Sequence, residues 1–280
     1  MAPPAFDTLV LGCGYLGRRA ARAWLQDGRR VAALTRQRSA ELSKDGIVPF
    51  PGDVLDPMSL RALPTANTIL YAVGMDRSAG RSMREVYVEG LRNVLNAMAH
   101  SPEARWISVS STGVYGQIDG SEVDEASTTQ PIEESGRVVL EAERLLHAMR
   151  PSAMILRFAG IYGPNRLLRR DPILRGEPFI GDAEKWLNLI HVDDGVRAVR
   201  AAESKGVPGR TYLVSDGTPV TRRDYYTRLA EVLNAPPARF EPGPIMVEPN
   251  RRISNRLMIQ ELGFVPEYPS YREGLANADL

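Results

Sequence analysis

The stretch that decides the fold is LVLGCGYLG, residues 9 to 17. Gly12, Gly14 and Gly17 form a G-x-G-x-x-G pattern directly after an apolar run and at the start of a helical pattern. In that context the first glycine permits a tight turn, the second lets a pyrophosphate approach the backbone, and the third lets the helix pack on the strand. The anion then lies at the positive end of the helix. The stretch predicts a dinucleotide-binding turn; the alternative is a glycine-rich turn that binds nothing.

Short apolar runs alternate with longer helical patterns over the first 160 residues. Such runs are typical of strands that are buried on both faces. The connections between them are long enough for right-handed crossovers, which join parallel strands. We therefore predict an α/β fold with a doubly wound parallel sheet of the Rossmann type. The apolar runs span residues 7–12, 30–35, 46–50, 68–73, 105–110 and 153–160, and the helical patterns span 15–28, 82–100 and 131–149.

The alternation ends after Tyr162, where the chain becomes rich in proline and arginine (YGPNRLLRRDPILRGEPF, 162–179). Later elements are shorter and more mixed. We predict a dinucleotide-binding Rossmann domain over residues 1–164. A smaller, C-terminal substrate-binding region is expected over residues 165–280, with some of its elements returning to the sheet.

Length and composition limit the classes of function. The chain has 280 residues, 43% of them hydrophobic, so it can bury a sizeable core. A net charge of +1 gives no electrostatic argument for a nucleic-acid or membrane partner. The start MAPPAFDTLVLG lacks the features of a secretory signal, and no run approaches the roughly 20 apolar residues of a membrane span. The single cysteine, Cys13, fits a reducing cytosol and is predicted to be a small residue in a tight turn, not a nucleophile. These observations predict a cytoplasmic protein with small-molecule partners and no metal.

The residues after the second apolar run favour NADP, with NAD as the alternative. Thr35, Arg36, Gln37 and Arg38 stand where an NAD site usually carries an acid for the ribose hydroxyls. An acid would repel a 2′-phosphate, whereas a guanidinium can bind one with two hydrogen bonds. The alternative is that these arginines only solvate a loop. Asp53, just after the third run, is placed to accept a hydrogen bond from an adenine amino group.

Five motifs, in order along about the first 200 residues, resemble those of the extended short-chain dehydrogenases, the NAD-dependent epimerase/dehydratase family. The wording of the glycine motif and the closing segment RRISNRLMIQELGFVPEYPSYREGL (251–275) resemble an atypical branch. The five motifs are the glycine turn, GDVLD (52–56), SVSSTGVYG (108–116), RFAGIYGP (157–164) and LIHVDD (189–194).

The resemblance also identifies candidate catalytic residues. It implies that Ser111 is the catalytic hydroxyl, which hydrogen-bonds the substrate oxygen. The positions of the family's tyrosine and lysine are occupied by Ser135 and Val139, and that of its asparagine by Tyr87. A hydroxyl without an adjacent cation transfers protons poorly near neutral pH. Tyr87 and Tyr115 are therefore the candidate proton donors.

The predicted cofactor contacts lie in the glycine turn and at the ends of the following strands. They are Gly12, Cys13, Gly14, Tyr15, Leu16, Gly17, Thr35, Arg36, Arg38, Asp53, Val54, Ala72, Val73, Gly74 and Ser110.

Several other side chains carry predictions of their own. His191, beside two aspartates, is predicted to be part of a helix-capping arrangement. The arginines that follow YGP either bind the phosphates of a nucleotide-sugar, as in family members, or solvate a loop. Histidines near helix ends are predicted at the surface, and the tryptophans in packing. The arginines are Arg166, Arg169, Arg170 and Arg175, the histidines His100 and His147, and the tryptophans Trp24, Trp106 and Trp186.

The resemblance implies a homodimer formed through the helices at 82–100 and 133–149. The second helix carries apolar residues beyond the needs of one core face: Val138, Leu145, Leu146 and Met149. Two hypotheses of function remain open. The protein is either an NAD(P)-dependent oxidoreductase acting on a nucleotide-sugar or a smaller carbonyl compound, or an inactive cofactor-binding sensor or interaction protein.

Overall fold

The computed structural model describes residues 5–244 and 247–276. The strands are β1 (Phe6–Leu11), β2 (Val31–Thr35), β3 (Val48–Pro51), β4 (Ala66–Tyr71), β5 (Arg105–Ser111), β6 (Glu122–Val123), β7 (Met154–Phe158), β8 (Gly160–Tyr162), β9 (Phe179–Ile180), β10 (Trp186–Leu187), β11 (Leu189–His191), β12 (Thr211–Val214), β13 (Val220–Thr221), β14 (Phe240–Glu241) and β15 (Arg252–Ile253). The α-helices are α1 (Tyr15–Gln26), α2 (Ser39–Lys44), α3 (Gly90–Ala97), α4 (Glu134–Met149), α5 (Arg170–Leu174), α6 (Val192–Lys205), α7 (Arg222–Val232), α8 (Arg256–Leu262) and α9 (Tyr271–Ala276). Among the described residues, no helix is both long and apolar enough to cross a membrane.

A seven-stranded parallel sheet confirms the predicted doubly wound fold. Its strand order is β12-β7-β5-β4-β1-β2-β3. From β1 the chain first builds outward to β2 and β3, and then crosses back to β4 on the other side of β1. The order therefore reverses at β1, and ligands of such sheets bind outside the carboxyl ends of the strands at this point. The glycine turn follows β1 directly.

The two edge strands of the sheet differ from the predicted apolar runs. β3 contains Pro49 and Pro51, which can donate no backbone hydrogen bond, and it lies at one edge, where only one neighbour needs pairing. The seventh strand, β12, lies at the other edge of the sheet and was not among the apolar runs.

One compact unit comprises the described residues up to 114 together with 133–157 and 199–211. Its core lies between the sheet and the flanking helices, because the strands are apolar on both faces. Among its buried members are Leu9, Ile69, Leu95, Trp106 and Ile155.

A second unit comprises residues 115–132, 158–198 and the described residues from 212 onward. It is built on two-stranded pairs, β8 with β11, β9 with β14, β10 with β13 and β6 with β15. Its core is rich in tyrosine, including Tyr162, Tyr225 and Tyr271. The two units interleave along the chain, whereas the sequence predicts one boundary after residue 164 with some elements returning to the sheet.

The segment predicted as a helix over 82–100 is helical over 83–97 and contains both π-helical and α-helical turns. Residues Glu85–Glu89 form a π-helical segment, and α3 continues from Gly90. A side chain at Gly90 would lie 2.8 Å from Cγ2 of Val54, so glycine permits the close approach there. Single π-turns within α-helices are frequent at functional sites, and this one carries Tyr87.

Candidate functional site

The three glycines of the turn after β1 have different surroundings. Gly12 adopts a φ of +96°, and a Cβ there would lie 2.4 Å from the backbone of Ala72. A Cβ on Gly17 would lie 2.3 Å from the carbonyl oxygen of Gly12. A Cβ on Gly14 would meet nothing within 4 Å. Gly12 and Gly17 are thus required by packing, while the space beside Gly14 is open at the N-terminus of α1, where an anion is stabilised.

The side chains within the glycine turn support this geometry. Cys13 is 7% exposed, and burial raises the pKa of its thiol to about 12. The thiol therefore stays protonated at neutral pH, in agreement with the prediction that Cys13 is a small packing residue. Leu16 is buried, and the guanidinium of Arg19 lies over the ring of Tyr15, 4.1 Å from its centroid. The first turn of α1 contains no acidic residue, so no carboxylate opposes an anion there.

The arginines after β2 lie at the same edge of the sheet as the glycine turn. Arg36 Nη2 donates a hydrogen bond to Asp76 Oδ2 at 2.7 Å. Arg38 is exposed, and its backbone N–H donates to Thr35 Oγ1 at 2.9 Å. Arg36 is therefore paired with a carboxylate that the sequence analysis did not identify.

Asp53 and Val54 follow β3 at this edge. Asp53 Oδ1 accepts a hydrogen bond from the backbone N–H of Leu55 at 2.9 Å, which fixes the turn after the strand. Val54 is buried under Gly90. The proposed adenine contact of Asp53 therefore stays a prediction, and Val54 acts at least as a packing residue.

The segment after β4 lies directly against the glycine turn. The backbone N–H of Ala72 donates to Leu11 O at 2.7 Å. A Cβ on Gly74 would meet nothing within 4 Å, so this segment also borders open space. The backbone N–H of Met75 donates to the hydroxyl oxygen of Tyr87 at 3.1 Å. The π-helical segment therefore holds the end of this loop through Tyr87.

Ser110 and Ser111 end β5, but their hydroxyls have different surroundings. Ser111 Oγ accepts a hydrogen bond from the backbone N–H of Gly113 at 3.0 Å, which leaves its own proton available to a substrate oxygen. Ser110 Oγ donates to Glu143 Oε1 at 2.5 Å. The side chain of Ser110 is thus turned into the protein, and the prediction that it contacts the cofactor is limited to its backbone.

Glu143 is part of a buried ion pair that the sequence analysis missed. Its carboxylate accepts two hydrogen bonds from Arg157 of β7, at 3.0 and 2.7 Å. Glu143 lies four residues after Val139 and eight after Ser135, and so on one face of α4 with both. The available signal was a charged residue, Arg157, inside an otherwise apolar run.

Ser135 and Val139 themselves supply no strong acid or base, and the carboxylate of Glu143 on the same face is engaged by Arg157 and Ser110. Ser135 Oγ donates to Glu133 Oε2 at 3.3 Å. Val139 is half-buried and has no polar atom on its side chain. The three lysines of the chain, Lys44, Lys185 and Lys205, all lie outside α4.

The two candidate proton donors differ in what their hydroxyls do. Tyr87 is half-buried, and because its oxygen accepts from Met75, its own proton remains available. Tyr115 is fully buried, and its hydroxyl donates to the carbonyl oxygen of Asp124 at 2.9 Å. A proton already engaged in a buried hydrogen bond is a poor one to transfer, so the geometry disfavours Tyr115.

Three of the four arginines after YGP divide into two groups. Arg170 and Arg175 pair with the neighbouring acids Asp171 and Glu177 at the surface, as in a solvated loop. Arg169 instead lines a cleft with Phe179 and Tyr226, among other residues. The guanidinium of Arg169 lies 5.4 Å from the ring of Phe179, within the range of a cation–π contact.

The residues assigned to structure from sequence mostly lie as predicted. At the start of α6 the backbone N–H of Asp193 donates to His191 Nδ1 at 3.4 Å, which confirms the capping arrangement. Asp194 accepts hydrogen bonds from the backbone N–H groups of Glu267 and Tyr268, both at 2.8 Å. It therefore anchors the closing segment, a role that spacing along the chain could not reveal.

The tryptophans and the other histidines differ in exposure. Trp24 and Trp106 are buried, Trp186 and His147 are half-buried, and His100 is exposed.

The apolar residues on α4 that supported a homodimer are mostly used within one chain. Val138 and Leu146 are buried in this chain, and Leu145 packs against the core. Met149 is 37% exposed and is the one of the four that projects toward the surface. Three of the four residues are therefore used by the core of one chain, and the homodimer stays a prediction.

Comparisons with known proteins agree with this architecture. A sequence model of the NAD-dependent epimerase/dehydratase family matches residues 8–215. Protein YeeZ of Escherichia coli K12 is 29% identical over 276 residues, which cover 93% of this chain and 95% of YeeZ. The dTDP-glucose 4,6-dehydratase DesIV of Streptomyces venezuelae, solved with NAD bound, superposes with a TM-score of 0.84 at 22% identity, covering 97% and 95% of the two chains. The UDP-glucose 4-epimerase of Thermotoga maritima, solved with UDP-glucose, gives 0.82 at 19% identity, with 96% of each chain covered.

Proposed function

Because the chain belongs to the NAD-dependent epimerase/dehydratase family, we propose that it binds one dinucleotide at the glycine turn, with NADP preferred over NAD. The observation that carries this proposal is the contrast among the three glycines. Gly12 and Gly17 are packed against backbone, whereas the position of a Cβ on Gly14 is open and faces the N-terminus of α1. The open space beside Gly14 supports the proposal, because the pyrophosphate has to approach the backbone of this turn closely.

The preference for NADP rests on the end of β2. The guanidinium of Arg36 is half-exposed there. Where an NAD site usually carries an acid for the ribose, this chain has Thr35, Arg36, Gln37 and Arg38. A charge-assisted contact to the 2′-phosphate is worth roughly 10- to 150-fold in affinity.

For chemistry, the geometry favours a weak oxidoreductase on a carbonyl compound. A bound nicotinamide would supply or accept the hydride. Ser111 would donate a hydrogen bond to the substrate oxygen, and Tyr87 would supply the proton, since its hydroxyl oxygen only accepts from Met75. The absence of a lysine from α4 removes the cation that would assist such a transfer.

A nucleotide-sugar is the substrate class that the second unit supports best. DesIV and the Thermotoga maritima epimerase are named for their action on such compounds. In this chain, Arg169 lines a cleft beside Phe179, and its guanidinium would bind a phosphate of such a compound. A smaller carbonyl compound that uses only Ser111 and Tyr87 is the alternative.

A sensor that binds the cofactor without turnover is the second candidate function. The observation in its favour is the face of α4, where Ser135 bonds to Glu133 and Val139 is apolar. A homodimer and a cytoplasmic location also stay predictions.

One experiment distinguishes these functions. Calorimetric titration with NADP and with NAD measures cofactor binding, and a panel of nucleotide-sugars and small carbonyl compounds is then screened by NADPH absorbance. Tight binding with turnover supports the enzyme, and tight binding without turnover supports the sensor. Absence of binding to either cofactor would refute the proposal.

A further inference from the structure

The ion pair between Arg36 and Asp76 spans the candidate cofactor site. Arg36 follows β2 and Asp76 follows β4, and these strands lie on either side of β1. Since all three strands are parallel, their carboxyl ends meet at one edge of the sheet. The pair therefore joins the two sides of the glycine turn that begins at the end of β1.

Asp76 is held in place independently of Arg36. Its Oδ1 accepts hydrogen bonds from the backbone N–H of Ser78 at 3.1 Å and from Ser78 Oγ at 2.6 Å, while Oδ2 faces Arg36. The hydrogen bonds from Ser78 and Arg36 lower the pKa of Asp76, so the carboxylate is ionised at neutral pH. Arg36 thus has a fixed anion beside it before any cofactor binds.

The pair is weak enough to be exchanged. The side chains of Arg36 and Asp76 are 48% and 41% exposed, and ion pairs so accessible to water contribute little stability. An incoming phosphate can therefore replace the carboxylate on the guanidinium. The carboxylate remains anchored by Ser78 close to the same place.

We propose that Asp76 is a specificity-determining residue that restrains the preference for NADP over NAD. The inference rests on the proposed binding of a dinucleotide at the glycine turn. Asp76 competes with the 2′-phosphate for Arg36, and once displaced it repels that phosphate as a like charge. NAD has only a hydroxyl at this position, so neither effect acts on it.

Removing the charge of Asp76 therefore changes the affinity for one cofactor. Asp76→Asn keeps an acceptor oxygen for Ser78 and so preserves the turn, but it leaves Arg36 without its anionic partner. In water, a carboxylate and a phosphate dianion several ångströms apart repel each other. At low ionic strength this repulsion corresponds to roughly a three- to tenfold change in the affinity for NADP. Salt should reduce it.

The test is calorimetric titration of NADP and NAD into the wild type and Asp76→Asn at low and at moderate salt. Asp7→Asn is the matched control, because Asp7 also pairs with an arginine, Arg30. Asp7 lies near the start of β1, at the amino ends of the strands and away from the glycine turn. We expect NADP to bind Asp76→Asn about three- to tenfold more tightly, NAD to bind it unchanged, and Asp7→Asn to behave as the wild type.

The possible results separate this inference from the proposed function. An unchanged or lower ratio of NADP to NAD affinity in Asp76→Asn, with the wild type binding a cofactor, overturns the role of Asp76 alone. A wild type that binds neither cofactor overturns the proposed function, and the role of Asp76 with it. A similar gain in Asp7→Asn would show a general charge effect and also overturns the role.

Discussion

Arg157 of β7 donates two hydrogen bonds to the Glu143 carboxylate of α4, and both side chains are buried. The same carboxylate accepts a hydrogen bond from the hydroxyl of Ser110, which directly precedes the candidate catalytic Ser111. One buried ion pair thus joins a strand, a helix and the end of β5 where the proposed chemistry takes place.

Loss of Glu143 should strongly destabilise the protein. Glu143→Ala leaves the guanidinium of Arg157 buried without its carboxylate, and breaking such a pair costs about 3–5 kcal/mol. Urea denaturation measures the loss. Glu141→Ala, on the same helix, removes an exposed partner of Arg84 and should change the free energy of unfolding little. Equal losses in the two variants would contradict the assigned role of the buried pair.

Loss of Arg36 should reduce the affinity for NADP by roughly 10- to 150-fold, because one charge-assisted contact to the 2′-phosphate disappears. Arg36→Ala should leave NAD binding nearly unchanged. Titration of both cofactors into the variant checks this. If NADP binds the variant as tightly as the wild type, Arg36 does not contact the 2′-phosphate.

Turnover of any carbonyl substrate found in the NADPH screen should depend on Tyr87 and Ser111. Loss of a general acid typically costs 10²- to 10⁴-fold, so Tyr87→Phe should lower kcat within that range. Ser111→Ala should also reduce turnover. Steady-state kinetics at saturating NADPH measures both effects.

Ser135→Ala is the control for these variants, because the hydroxyl of Ser135 bonds to Glu133 and is assigned no proton transfer. It should leave turnover nearly intact. A large loss of turnover in Ser135→Ala with cofactor binding preserved would show that Ser135 takes part in the chemistry.

The parallel sheet was predictable from the sequence because its signals are local. The glycine pattern after β1 specifies a turn whose φ of +96° at Gly12 requires glycine, and the apolar runs match the first five strands and β7 closely. The π-helical segment at Glu85–Glu89 was not predictable, since it shares the hydrophobic pattern of an ordinary helix.

The sequence identified candidate residues of the site, but it did not identify the side chains that hydrogen-bond to them. The sequence identifies Arg36 and Ser110, but the acids that bind them, Asp76 and Glu143, lie 40 and 33 positions away. Pairings of this range depend on which strands become neighbours, and spacing along the chain does not encode them. The burial of Tyr115 was missed for the same reason.

Stability should depend on pH through Asp216. Burial raises the pKa of Asp216 to about 8, and among the described residues its Oδ2 has no hydrogen-bond partner. In the unfolded chain the carboxyl titrates near its ordinary value of about 3.9. Between these values the folded state holds a proton that the unfolded state has lost. The protonated carboxyl of Asp216 therefore makes its full contribution to the free energy of unfolding below about pH 4. This contribution is lost as the pH rises toward 8.

Asp216→Asn should remove this dependence, because the amide is neutral at every pH. Its free energy of unfolding should rise relative to the wild type by about 1.4 kcal/mol per pH unit between pH 5 and 7.5. Denaturation of both proteins across that range measures the difference. Asp119→Asn is the control, since the hydrogen bond from Ser121 lowers the pKa of Asp119 and places its titration below this range. Parallel stability profiles for the wild type and Asp216→Asn would refute the assignment.

The most direct test of the central claim is titration of NADP into Gly14→Val. A Cβ added at Gly14 would meet nothing within 4 Å, so we expect the variant to fold, which circular dichroism and the urea midpoint check. The added side chain fills the space assigned to the pyrophosphate, and NADP binding should be abolished. A folded Gly14→Val that binds NADP with the wild type's affinity would contradict the claim that the glycine turn holds the cofactor.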